Sequence, residues 1–494
     1  MVENLLSMLL FLPLAGAAAV ALARDAKAAR AIALAFTLIP LLLTVPLVQQ
    51  FVHSFGTFNQ HFQFAEKALL VPYFGISYSL GVDGLSLPLV ALTTLLFFLA
   101  ALFSWDVAHR PRAYFGLLLL METGVVGVFT SLDLFLFFVF WEVVLIPMYF
   151  FIAIWGGPRR DYASFKFLIY THVGGLVMLL GLVALFLATG GWTFDLVEIG
   201  KAAPGLPQGL QVLVFCTFLF GFGVKFPLVP VHTWLPDAHV EAPTAGSVLL
   251  AGLLLKMGGY GLFRFGFGML PGGVAGEVPL LRVKMTDLML LLAVVSILYG
   301  AAVCLAQRDL KRLVAYSSIS HMGFVLLGYT VGTPLAIQGA IFMMVSHGLI
   351  SPLLFMAAGA LQHHAGSRDI PRMSGMAAKM PLYATLLMLG ALASAGVPGM
   401  SGFVAELLVF LGAWPVLGIW TLLPIGAVVI GTAYLFWALM RAMFGPARVP
   451  PEAHGPKYDV AAYEALPMAL LMVAIVLFGL FPEPLLRVLS VAGG

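Results

Sequence analysis

Apolar positions along this chain fall in long runs, and polar positions collect in short stretches between them. In the run LFLFFVFWEVVLIPMYFFIAIW, residues 134–155, a single carboxylate interrupts 22 otherwise uncharged residues. A helix needs roughly 20 apolar residues to cross a bilayer. That criterion predicts fourteen helices, at about 4–23, 31–52, 84–105, 113–130, 134–155, 163–188, 209–229, 243–270, 285–306, 310–331, 335–362, 381–412, 418–443 and 464–488. The aromatic, Gly-containing stretch 53–83 is expected to fold back on the bundle as short strands or turns. The predicted fold class is an all-α polytopic membrane protein, one integral domain over residues 1–494.

The distribution of Lys and Arg tests this count, because cytoplasmic loops carry the excess of positive charge. Loops after odd-numbered helices hold 17 of these residues; the opposite side holds five, Lys67, Lys201, Arg282, Lys284 and Arg487. The bias places both termini on the outer (periplasmic) side. Lys225, Lys256 and Arg264 remain within spans.

Two of the predicted helices are broken. Prolines at 227, 230, 236 and 243 and glycines at 221 and 223 interrupt helix 7; the stretch ASAGVPGMSGFVAELL interrupts helix 12. Paired broken helices are the sequence sign of an inverted-repeat transporter. Their spacing predicts two five-helix repeats, helices 4–8 (about 113–270) and 9–13 (about 285–443).

Composition narrows the function. Hydrophobic residues make up 62% and charged residues 10%, where a soluble domain carries about a quarter charged. The net charge of +3 suggests no nucleic-acid partner, and the lipid bilayer is the expected environment. Two isolated cysteines, Cys216 and Cys304, are read as core packing, since an iron–sulfur cluster usually takes four thiolates. There is no dinucleotide fingerprint, P-loop, haem motif or metal-ligand spacing, so no cofactor and no metal are expected in this chain. The first 23 residues contain Glu3 and no Lys or Arg, and are read as a retained helix rather than a signal peptide.

The candidate chemistry lies in the charges left inside the spans. A charge at the bilayer centre costs about 2.5–3.5 kcal/mol on insertion scales, so such groups face a bundle interior or water. Glu142 is either a structural acid or a proton-titrating, ion-pairing group. Glu122 could be either. Lys225 falls at the break in helix 7, where backbone and water can share its charge. Lys256 follows eleven residues without a charge, with Tyr260 one turn on. His321 shares a polar face with Ser317 and Ser320, and His347 precedes a Gly and a Pro; imidazoles in successive helices suit a proton relay. Glu406 follows the break in helix 12. His232, Asp237, His239 and Glu241 are read as a polar cap at the cytoplasmic surface. Titratable groups plus water fit proton transfer across a membrane, and no nucleophilic triad can be placed.

At these motifs the sequence resembles the antiporter-like subunits of respiratory complex I, the NADH:quinone oxidoreductase. The matching stretches include LGVDGLSLPLV, DLFLFFVFWEVVLIPMYF, GVKFPLVPVHTWLPDAHVEAPTAGSVLLAGLLLKMGGYG, DLKRLVAYSSISHMGFV and GVPGMSGFVAE. Within that group it looks most like subunit M, the counterpart of mitochondrial subunit 4. Glu406 stands where L- and N-type relatives typically carry a lysine, and the chain ends without room for the lateral helix of the L type. The resemblance implies an ion pair between Glu142 and Lys225, a central site at Lys256, an axis through His321 and His347, and an outward exit at Glu406. It implies a translocase subunit without its own redox site, beside L- and N-type neighbours, and the Ala/Gly/Val-rich composition and chain length point to a bacterial inner membrane. NADH, FMN, iron–sulfur clusters and quinone would belong to partner subunits. The rivals are a subunit of a Mrp-type cation/proton antiporter or membrane-bound hydrogenase, a structural spacer, and a stand-alone solute transporter.

Overall fold

The structure is a computed structural model and describes residues 4–53, 62–279, 281–446 and 459–490. The membrane helices, with our numbering, are α1 (Leu5–Ala21), α2 (Ala26–His53), α3 (Ser86–Phe103), α4 (Pro111–Thr130), α5 (Leu134–Trp155), α6 (Arg160–Ala188) and α7 (Gln208–Lys225, then Trp234–Glu241). They continue with α8 (Thr244–Phe267), α9 (Met285–Leu305), α10 (Leu310–Val331), α11 (Pro334–Ala365), α12 (Pro381–Ser394, then Ser401–Leu417), α13 (Leu422–Met443) and α14 (Ala462–Leu480). The sequence-predicted spans and both breaks are thus observed. The predicted helix 14 runs too far: it stops at Leu480, and Glu483–Leu489 forms a separate short helix after Pro482.

Between α2 and α3, β1 (Gln63–Val71) pairs antiparallel with β2 (Ile76–Val82), the fold-back expected for this stretch; positions 54–61 lie outside the described residues, as do Arg448 and Lys457 of the charge count. α10 has the length to span but a diluted apolar character, because Ser317, Ser318, Ser320 and His321 sit on it.

Burial ranks the helices. The most apolar stretch of α11 is wholly buried and that of α8 is 94% buried, against 28% for α2. The two helices carrying His347 and Lys256 are therefore the centre of the bundle. They touch through small residues: a Cβ on Gly348 would lie 3.2 Å from the Gly252 carbonyl, and such close backbone approach is how membrane helices pack without a hydrophobic drive.

Asp133 caps α5, accepting from the Phe135 and Leu136 amides at 3.0 Å, and Asp309 caps α10, accepting from the Arg312 amide at 3.0 Å. Each cap bridges a second aspartate beyond the next helix, Asp195 and Asp369 respectively. The backbone bonds match: Leu134 to Phe194 and Leu196 to Leu132 in one case, Leu310 to Arg368 and Ile370 to Arg308 in the other. The first bridge lies before α5 and the second before α10, so by the alternation of the spans they sit on opposite faces. This is the geometry of one motif used twice in inverted orientation.

Candidate functional site

Lys256 is fully buried on α8 between two wide, i→i+5 turns at Leu250–Leu254 and Leu262–Phe267. Wide turns displace the regular ladder and are frequent at functional sites. Here the Lys256 Nζ donates to the Ala251 carbonyl, five residues back, at 2.6 Å. Its other partner is His347 Nδ1 on α11, also at 2.6 Å. The far nitrogen of that ring, Nε2, is buried without a hydrogen bond. The His321 ring lies 5.3 Å from the His347 ring.

Beyond the histidines is a small cavity, about 10 Å³ open to the centre of a water molecule, lined by Ser317, His321, His347, Ser351, Ser394 and Glu406 among others. That is room for about one water. Glu406 is 6% exposed and makes no hydrogen bond or ion pair among the described residues. The break in α12 makes space for it. Gly396 has φ +68°, and a Cβ there would come within 2.3 Å of Glu406 Oε2; only glycine meets both conditions without strain. Ser394 Oγ also lacks a partner. The structure thus gathers Lys256, His347, His321 and Glu406 into one run of polar groups.

Glu142 and Lys225 are arranged differently. No direct ion pair joins them. Glu142 Oε2 bonds His172 Nδ1 on α6 at 2.9 Å, while Oε1 is buried, unpaired and pressed against Gly175. Lys225 is buried at the end of the first piece of α7, without a hydrogen-bond partner; its Nζ sits 4.1 Å over the Trp141 ring. An ammonium over an indole face is a favourable cation–π contact. In place of the direct pair implied by the resemblance, Glu142 bonds His172 and Lys225 lies over Trp141. A second aromatic group, Phe137 against Trp141, Phe222, Tyr260 and Phe265, packs beside this site. Glu122, on α4, is fully buried with neither oxygen paired.

The proposed polar cap divides. Asp237 pairs with Lys166 at 2.7 Å, and Glu241 with Arg159 at 3.6 Å. His232 is buried with its ring 5.1 Å from Tyr299. His239 is not at the surface: it is fully buried, stacked on Phe355 at 4.3 Å, with both nitrogens unpaired. It lies within electrostatic reach of both Lys311 and Lys256. Lys311 was counted as a loop charge, yet it is 3% exposed and donates to the Ala242 carbonyl. Its signal was its place only two residues after the Asp309 cap, on the helix with the serine stripe. His172 went unnoticed altogether; the hint was an imidazole within apolar α6 just before Gly174 and Gly175.

Cys304 is buried and Cys216 partly so, both as free thiols. Contrary to the absence of metal-ligand spacing in the sequence, the fold brings His363, His364 and Glu464 together. Glu464 lies a hundred residues from the two consecutive histidines and meets them only once α11 and α14 pack.

Residues 131–431 match the family described as the transmembrane NADH:quinone oxidoreductase/Mrp antiporter family. The chain is 43% identical to the F(420)H(2) dehydrogenase subunit M of Methanosarcina mazei, over 88% of this chain and 86% of that protein. It is 39% identical to the NADH-quinone oxidoreductase subunit M of Rhodobacter capsulatus, over 97% of this chain and 94% of that one. Its fold superimposes on a chain of respiratory complex I from Thermus thermophilus with TM-score 0.87 and 32% identity, covering 99% of this chain and 98% of the other. The protein is a multi-pass membrane protein of the NADH:quinone oxidoreductase/Mrp antiporter family, and within it an antiporter-like subunit of the M (chain 4) kind.

Proposed function

We propose that this chain moves protons through the bilayer as the M-type subunit of an NADH:quinone oxidoreductase, with electron transfer carried out by partner subunits. The observation that carries the reading is the 2.6 Å contact between Lys256 Nζ and His347 Nδ1, made by the two most buried helices. Transfer along it breaks an N–H bond at Nζ and forms one at Nδ1; the imidazole then releases its Nε2 proton toward His321. One water in the adjacent cavity bridges to Glu406, the outward exit. His239 and Lys311 supply the approach from the Arg/Lys-rich face, taken as cytoplasmic. Glu142 and Lys225 act through charge rather than direct contact: when a neighbouring subunit draws Glu142 away, Lys225 loses the charge that favours its protonated form. The repeats, about 113–270 and 285–443, provide the two half-channels. L- and N-type chains are the proposed neighbours, in a bacterial inner membrane.

The test is Lys256→Ala and Glu406→Gln in the assembled complex, reading protons moved per NADH oxidised. Loss of at least a factor of ten is expected for Lys256→Ala, in line with removal of a group that transfers protons directly. Unchanged pumping in an assembled complex would reject the axis. The relative from M. mazei works in an F(420)H(2) dehydrogenase, so the electron donor is read separately. Finding NADH-oxidising subunits attached to a tagged chain supports the complex I assignment, and finding only other antiporter subunits replaces it with the Mrp type.

A further inference from the structure

A second cluster lies at the opposite end of α11 from the cavity's exit, outside the proton axis. His363 Nδ1 is 3.0 Å from Glu464 Oε1, and His364 Nε2 is 2.6 Å from Glu464 Oε2. Glu464, in the first turn of α14, is only 2% exposed, and its Oε2 also accepts from the Ala461 amide at 2.9 Å. One donor atom from each of the three residues lies within 4.8 Å of the others. On the outer side of His363, Nε2 faces Asp106 Oδ2 at 3.5 Å; the Tyr463 hydroxyl donates to the same carboxylate at 3.3 Å.

We propose that His363, His364 and Glu464 form a binding site for a borderline divalent transition metal of the Zn²⁺ class. Two imidazoles and a carboxylate are a known zinc donor set, leaving a fourth position for water. Imidazole ligands argue against Mg²⁺ and Ca²⁺, which take oxygen. Tetrahedral zinc with bonds of about 2.0–2.1 Å sets its donor atoms about 3.3 Å apart; the 3.0 Å contact falls just short of that and the 2.6 Å contact has to open further, while all three donor atoms already lie within 4.8 Å of one another. A metal on Nδ1 of His363 requires the ring proton on Nε2, which is the atom facing Asp106. Such a carboxylate on the far nitrogen orients a ligating histidine and raises its basicity. His363, half exposed, leaves an entry path from water. With no metal bound, the imidazole nitrogens donate to Glu464, and metal binding displaces those protons. An ion here ties α11, which carries His347, to α14, with Asp106 joining the segment between α3 and α4 from behind His363.

The experiment uses the full chain in lipid nanodiscs, stripped with a chelator and titrated with Co²⁺, which reports coordination geometry by its visible spectrum. One Co²⁺ per chain with intense tetrahedral bands is expected, displaced by equimolar Zn²⁺. His364→Gln and Glu464→Gln each lose the bands. Asp106→Asn keeps them with affinity lower by about 10–100-fold, the usual effect of losing an outer-shell partner. His109→Gln, a control elsewhere on the same face, changes nothing. Zn²⁺ raises the Tm of the parent chain and leaves that of the His363→Gln/His364→Gln double variant unmoved. Weak octahedral bands, or tetrahedral bands that survive in the double variant, overturn the proposal. So does a double variant that loses stability while the parent shows no Zn²⁺-dependent Tm shift.

Discussion

The two halves of the molecule share a skeleton and differ in what they place inside it. Asp133 and Asp309 cap corresponding helices and make the same pair of backbone bridges. Nine residues after each cap stand Glu142 and Ser318; forty-two residues after each stand Gly175 and Ser351. The same contact between neighbouring helices is therefore filled by a carboxylate against a glycine in the first half. In the second it is filled by two hydroxyls, with Ser318 and Ser351 Oγ atoms 3.3 Å apart. The first half holds isolated charges beside packed aromatic rings. The second, built from serines and histidines, leaves room for water next to an unpaired carboxylate. On the proposed reading one frame thus carries a charge-sensing site in the first half and a proton-conducting run from Lys256 across to the second, and the division of labour lies in side chains rather than topology.

The largest effect should come from breaking that division at its tightest point. A Cβ at Gly175 would lie 2.3 Å from Glu142 Oε1, so Gly175→Val must expel the carboxylate or part α5 from α6. Loss of coupled proton pumping by at least tenfold is expected, with electron transfer retained in the assembled complex. The corresponding change in the second half, Ser351→Gly, removes one hydroxyl pair. It should cost about 1 kcal/mol of stability and less than half of pumping. Equal effects of the two substitutions would sink the contrast.

A smaller effect separates the two caps. Asp133 accepts from the Ser77, Phe135 and Leu136 amides; Asp309 accepts from the Arg312 amide and pairs with Arg368 at 2.5 Å. Removing a cap costs about 1 kcal/mol, and leaving buried donors unsatisfied adds about 1–3. Asp133→Ala should therefore lower stability more than Asp309→Ala, because Asp133 is fully buried and Ser77 is left without its acceptor. Denaturation followed by tryptophan fluorescence in detergent, comparing the two variants, measures the difference.

Much of this frame was legible in the sequence for a physical reason. A bilayer imposes helices of fixed length, and prolines and glycines mark where they break. The isolated charges announced themselves by their cost. Lys256, His321, His347 and Glu406 were found this way, and they converge. What could not be read was who faces whom. Trp141 beside Lys225, and His172 rather than Lys225 on Glu142, depend on rotamers and helix rotation that a run of apolar residues leaves undetermined. Lys311 and His239 were misjudged because a charge near a helix end looks like a surface residue until the packing of α10 and α11 buries it. The cluster at Glu464 joins residues a hundred positions apart, which no local spacing reports.

The finest test of the two-halves contrast is chemical. The first bridge is closed by Lys67 on Asp195 at 2.7 Å, the second by Arg368 on Asp309. Hydrogen bonding to Asp195, aided by that residue's charge and opposed by partial burial, raises the Lys67 pKa above its ordinary 10.5. A raised folded-state pKa means that the pair's contribution is fully present below pH 10.5 and disappears as pH rises through the higher folded value. A guanidinium group stays protonated throughout that range. Above pH 10.5 the first bridge should therefore weaken while the second holds. Lys67 is 57% exposed, so the loss is well under 1 kcal/mol. It is detectable as a small fall in Tm between pH 10 and 11.5 relative to Lys67→Arg, which gives the first bridge the chemistry of the second and should remove the difference. A parent chain that tracks Lys67→Arg across that range would mean that solvent already screens the lysine and that both bridges rest on their backbone bonds alone.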